Sequence, residues 1–197
     1  FAVIGIVLII GGLSGAHVNP AMTIGAWVTR RMNATRAVTY LVAQVLGAML
    51  AFVVLNAFVG QAPEVSSQAA MFGQTAPELF KSAALPEGKE WAVLFAELIG
   101  ATILAFAYAS AMREGREKIV AAFTVASGIF LALIVAGTAA TYVQASAILN
   151  PAAAIALEAF RDLSTVWPIA IYVVVTSLGG VIGFALYDML KSVEEKA

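Results

Sequence analysis

The chain has 197 residues, 61% of them hydrophobic and only 12% charged, and a mean hydropathy of +0.92. That is too little charge to cover a water-soluble domain of this size. A net charge of −1 offers nothing to nucleic acid, and the absence of cysteine removes disulfides and thiolate metal sites. One histidine and scattered acids form no recognisable metal cluster and no nucleophile–base pair, so the composition argues against an enzyme and calls for no cofactor or metal.

Five apolar stretches, 1–17, 37–59, 91–112, 119–142 and 166–190, are long enough to cross a lipid bilayer, which takes roughly 20 residues as helix. Helix is expected because backbone groups in hydrocarbon must be satisfied within their own segment. The first stretch begins inside an apolar helix at Phe1, which predicts a further helix upstream. It leads into Ser14-Gly15-Ala16-His17-Val18-Asn19-Pro20-Ala21. Asn is a favoured N-cap and Pro a favoured first helical residue, so a helix is expected to start here. The apolar run that follows, 20–30, would measure about 16 Å as helix, half a bilayer.

After the span 37–59 and a connection 60–90, the second half repeats the pattern. Spans 91–112 and 119–142 precede Ser146-Ala147-Ile148-Leu149-Asn150-Pro151-Ala152, a second short apolar run 151–161, the span 166–190 and a tail 191–197. Arg30, Arg31, Arg36, Arg113, Arg116, Lys118, Lys191 and Lys196 all fall on one side of this layout. The positive-inside rule then puts the C-terminus in the cytoplasm and the connection 60–90 outside. The two Asn-Pro segments enter from opposite faces. The expected architecture is an all-α membrane domain over 1–197, with a partial first repeat 1–59 and an inverted second repeat 91–190.

Two half-helices starting near the midplane would direct their positive dipole ends at each other. Asn19 and Asn150 could cap those ends through oxygen and present NH₂ donors to a lumen. The backbone before them, Gly15, Ala16, His17 and Val18 in one loop and Ser146, Ala147, Ile148 and Leu149 in the other, would offer carbonyl acceptors. Non-helical backbone at that depth is tolerated where it lines a cavity. Acceptors interrupted by two central donors suit water and small hydroxylated solutes and oppose cations. The pore centre is therefore expected at Asn19, Pro20, Ala21, Asn150, Pro151 and Ala152.

At these residues the chain resembles the aquaporin and aquaglyceroporin (major intrinsic protein) family over nearly its whole length. Ala43-Gln44-Val45-Leu46-Gly47-Ala48, Ala96-Glu97-Leu98-Ile99-Gly100 with Thr102, and Gly179-Gly180 through Tyr187-Asp188 extend the match. The resemblance implies a fold of six helices and two half-helices, a first helix upstream of Phe1, and a homotetramer with one pore per subunit in a cell membrane. The family's outer constriction carries an Arg where this chain has Ala153. Counting along the family pattern assigns the other readable filter positions to Thr138 and Ala147. Three small side chains there imply a wide filter.

His17 is expected to pack and hydrogen-bond beside the first loop, although a titrating role at the inner mouth is open to it. Glu97, an acid inside a span, is expected to support loop backbone, and Gln44 to bond between helices. Arg161 is expected to pair at the surface with Glu158 or Asp162; alternatively, about three turns from Asn150, it lends charge to the outer mouth. Two other readings remain at this stage: a coupled secondary transporter with broken helices, and a structural membrane protein of low permeability.

Overall fold

The computed structural model describes residues 1–59, 71, 84–112 and 117–194, and among these every regular element is helical. The first half comprises α1 (Ala2–Ser14), α2 (Pro20–Val28) and α3 (Ala34–Val59). The second comprises α4 (Glu90–Ala111), α5 (Lys118–Tyr142), α6 (Pro151–Ala156) and α7 (Trp167–Glu194). Helices α3, α4, α5 and α7 are long and apolar enough to cross a membrane. The fifth expected crossing falls on α1, an apolar helix of 13 residues, about 20 Å, at the start of the given sequence. Most of the connection 60–90 lies outside the described residues, as do Arg113, Arg116 and Lys196.

The short helices are shorter than expected. α2 ends at Val28 after 9 residues, and α6 ends at Ala156 after only 6. Beyond Ala156 the chain turns, with Glu158 in the left-handed region at φ 57°. Arg161 therefore does not ride on a three-turn helix and has no helical path back toward Asn150. Its guanidinium stands 3.9 Å from the Glu158 carboxylate and is largely exposed, which is the surface pairing.

Local chemistry explains the entry into the first loop. Gly15 adopts φ 71° after α1, and its N–H bonds the Gly11 carbonyl at 2.9 Å. A residue without Cβ takes this left-handed turn at no steric cost.

Small residues set the packing. On α4, Ala101 and Ala105 meet Gly179 and Gly183 of α7, while Ala107 meets Gly128 of α5. Without a hydrophobic drive between helices in lipid, such close backbone approach supplies the dispersion contacts that hold them together. At the crossing of α2 and α7, a Cβ on Gly25 would stand 2.8 Å from the Gly180 carbonyl oxygen, and one on Gly180 would strike the Ala21 carbonyl.

The two halves exchange their short helices: α2 packs on α7, and α6 packs on α3. Each short helix rests on the long helix that closes the other half, as two repeats related by a two-fold axis would do. Helix α7 contains a π-helical turn at Ala170–Val175. There the Thr176 hydroxyl donates to the Ile171 carbonyl five residues back, at 2.8 Å. Such turns re-aim a side chain without ending the helix.

Arg31 and Asp188 form an ion pair that brings the turn after α2 and the end of α7 to one face. Glu87, Glu90, Glu158 and Arg161 gather elsewhere, around a second cavity.

Candidate channel centre

The two Asn-Pro corners are built alike. Asn19 sits at φ −143°, ψ 117° and Asn150 at φ −152°, ψ 109°, both extended, each followed by Pro as the first helical residue. Asn19 Oδ1 accepts from the Ala21 N–H at 2.9 Å. Asn150 Oδ1 accepts from Ala152 N–H at 3.0 Å and Ala153 N–H at 3.3 Å. These bonds satisfy amides that a helix start leaves without intrahelical partners.

The amide nitrogens then cross over. Asn19 Nδ2 donates to the Leu149 carbonyl at 2.8 Å, and Asn150 Nδ2 donates to the Val18 carbonyl at 3.1 Å. Each Asn thus ties itself to the residue preceding the other. The sequence reading sent both N–H groups of each carboxamide to a lumen. The fold spends one of the two on the opposite loop and leaves one. Pro20, Ala21, Pro151 and Ala152 are buried beside them.

The loop carbonyls are also more engaged than expected. Those of Gly15, Ala16, His17 and Val18 accept, in order, from Tyr108 Oη, Val18 N–H, Gln44 Nε2 and Asn150 Nδ2. A carbonyl has two lone pairs, so one acceptor site on each remains beyond these bonds.

Polar side chains within the helices hold both loops. Glu97 of α4 is completely buried and accepts from the Ile148 and Leu149 amides, the latter at 2.8 Å. The Thr176 hydroxyl, whose one proton is shared between the Ile171 carbonyl and this carboxylate, lies 3.2 Å from Oε2, where the π-turn places it. Leu149 adopts φ 59°, unusual for a branched aliphatic residue, and this carboxylate clamp holds its amide. On the first loop, Gln44 Nε2 bonds the His17 carbonyl and reaches the Thr23 hydroxyl at 2.9 Å. His17 Nδ1 lies 3.3 Å from the same hydroxyl, and its ring sits edge-on between Tyr40 and Tyr108.

Tyr108 and Thr176 were not foreseen as loop supports. A signal for Thr176 existed in the sequence: Thr176-Ser177-Leu178-Gly179 occupies the place in α7 that Gln44-Val45-Leu46-Gly47 occupies in α3. For Tyr108 there was none, since one tyrosine in an apolar helix is ordinary packing.

The three expected filter residues are not all brought together. Ala153 borders a cavity of about 500 Å³ together with Val18, Gln44, Asn150 and Ala152. Ala147 is half-buried in the loop and packs on the core. Thr138 is exposed on α5, two residues from each of the buried Ala136 and Ala140. Two residues turn a helix by about 200°, so Thr138 lies off the helix face that packs through Ala136 and Ala140, with its hydroxyl on the Ile134 carbonyl. A residue that lines a water-filled lumen is exposed as well, so the filter place of Thr138 stands as a proposal.

His17 also borders a third cavity, of about 490 Å³, on the face carrying Arg31, Asp188 and Lys191. Among the described residues no three His, Asp or Glu side chains are disposed to hold a metal ion.

Known proteins are similar to this chain in sequence. The family model described as major intrinsic protein matches residues 1–187. Aquaporin AqpM of Methanothermobacter marburgensis is 30% identical over 201 residues, covering 98% of this chain and 74% of that protein. Aquaporin Z of Photorhabdus laumondii is 28% identical over 195 residues, covering 95% of this chain and 78% of the relative. A glycerol uptake facilitator protein-like 6 of Lactiplantibacillus plantarum is 38% identical over 65 residues, 33% of this chain and 29% of that protein. With the paired corners and the exchanged half-helices already described, the match over 1–187 means that this chain belongs to the major intrinsic protein family.

Proposed function

We propose that the protein is a passive transmembrane channel for water and small uncharged solutes such as glycerol, with a wide outer constriction. The observation that carries this reading is the crossed Asn pair. Two carboxamides, fixed by one another's loops, each retain an N–H at the meeting point of two helix N-termini. A solute oxygen accepts from such donors, while a cation meets the positive ends of two dipoles. The names aquaporin and glycerol uptake facilitator among the relatives make water and glycerol the two solutes to test.

Coupled transport would need an acid available to an ion near the midplane. Glu97 was the candidate, and its oxygens already hold two amides and a hydroxyl. The small Ala153 beside Asn150, at the position where the family carries Arg, supports passage of solutes larger than water. Arg30, Arg31, Arg36 and Lys191 favour a cytoplasmic C-terminus by the positive-inside rule. The resemblance further supports a homotetramer in a cell membrane. Light scattering of proteoliposomes under mannitol and glycerol gradients tests the channel reading. Osmotic shrinkage and glycerol re-entry no faster than in empty vesicles would refute it.

A further inference from the structure

The third cavity lies where the turn after α2 meets the end of α7, with His17 on its wall. Its volume of about 490 Å³ is within the ordinary range of small-molecule sites. Arg31, Arg36 and Lys191 line it, and Asp188 is the one acid among its lining residues. The wall is therefore net basic. Met112, also on it, precedes residues 113–116, which lie outside the described residues and by sequence carry Arg113 and Arg116 against Glu114. Basic residues at this end also follow from the positive-inside rule, which asks only that they stand near the ends of spans. That rule does not ask for the charges to be held in place.

Two of them are held. The Arg31 guanidinium stands 5.1 Å from the Phe184 ring centroid and 5.7 Å from that of Tyr187, and it pairs with Asp188. All three partners line the cavity, which places the charged end of Arg31 at its wall. The Arg36 guanidinium stands 5.2 Å from the Tyr40 ring centroid, and its Nε donates to the Tyr40 hydroxyl at 2.9 Å. Tyr40 in turn meets the His17 ring edge-on at 5.7 Å, and His17 lines the same cavity. Asp188 engages one nitrogen of Arg31 and Tyr40 engages Nε of Arg36, so each fork keeps N–H donors to spare. Planar forks positioned in advance match an oxyanion and lose little freedom on binding it. Three cations against one acid leave an excess of two positive charges, which a dianion neutralises and a monoanion does not. Two forks also ask for more oxygens than a carboxylate carries. Charge and oxygen count together select phosphate.

We infer that this cavity binds a phosphate dianion, as the free anion or as a lipid headgroup phosphate, between the guanidiniums of Arg31 and Arg36 with Lys191 beside them. The test is calorimetric titration of sodium phosphate, in mildly alkaline buffer, into the full chain in phosphatidylcholine nanodiscs. The expected result is saturable binding, weakened about tenfold or more by Arg36→Gln and by Arg31→Lys, which keeps the charge and removes the fork. Arg30→Gln is the control, since Arg30 does not line this cavity, and it should leave the affinity unchanged. A second set of discs containing phosphatidic acid separates the two sources. Loss of the phosphate heat there assigns the site to a headgroup, and its retention assigns the site to the free anion. Should Arg31→Lys fail to give monodisperse protein, Arg36→Gln and Lys191→Gln carry the same comparison. Absence of saturable binding in phosphatidylcholine discs overturns the proposal. So does an equal loss in Arg30→Gln, which marks diffuse surface charge, or equal displacement by acetate, which marks a site without preference for a dianion. The readout is binding rather than flux, so its failure leaves the channel reading standing.

Discussion

Asn150 has four hydrogen-bonding positions and the fold engages three, two on oxygen for its own helix and one on nitrogen for the opposite loop. Asn150→Asp keeps the cap and loses both N–H groups, so the Val18 carbonyl loses its partner and a negative charge enters the centre. Sodium leak through reconstituted protein is expected to rise by about tenfold or more, since one decade corresponds to about 1.4 kcal/mol of barrier. Equal leak in wild type and variant would dismiss the paired-donor mechanism. Glu97 makes a parallel case. Glu97→Ala orphans the buried amides of Ile148 and Leu149, each at a cost of about 1–3 kcal/mol, and should depress thermal stability and assembly. Glu97→Gln retains an acceptor oxygen and should fold with water flux largely intact. If the Gln variant folds but abolishes a proton-linked flux, the transporter reading returns.

At the scale of elements, the seat of α2 on α7 depends on Gly180, where any Cβ meets the Ala21 backbone carbonyl and no side chain can swing aside. Gly180→Ala should cost about 1–3 kcal/mol as an overpacked contact and lower water flux by displacing the first loop. Gly47 on α3 is the control, because a Cβ there meets nothing within 4 Å. Gly47→Ala is expected to leave melting temperature and flux near wild type. Similar losses in both variants would show that helix-wide glycine effects, rather than this crossing, govern the loop.

At the scale of the whole molecule, the proposed function makes selectivity depend on which side chains surround the cavity beside Asn150. Ala153→Arg adds bulk, charge and a fork of donors, and should reduce glycerol permeability several-fold before it reduces water permeability. Thr138→Leu adds bulk at the proposed filter position on α5 and should reduce glycerol permeability as well. Glycerol and water permeabilities measured at matched reconstitution decide the matter. Glycerol flux unchanged by Thr138→Leu would remove Thr138 from the filter.

The sequence by itself determined the membrane-spanning helices, the two capped corners and their inverted relation. Each of these follows from local rules: apolar length, the capping preference of Asn before Pro, and the sorting of Lys and Arg between loops. It also marked Glu97 and Gln44, because a polar group inside an apolar helix needs a partner. Tertiary structure decided the identity of those partners. The crossing of Asn19 to Leu149 and of Asn150 to Val18 joins residues 130 and 132 apart. The Tyr108 bond to Gly15 and the aim of Thr176 through a π-turn have no local signature. Residue counting holds along a regular helix and not across an irregular loop, whose path is set by the groups it must satisfy.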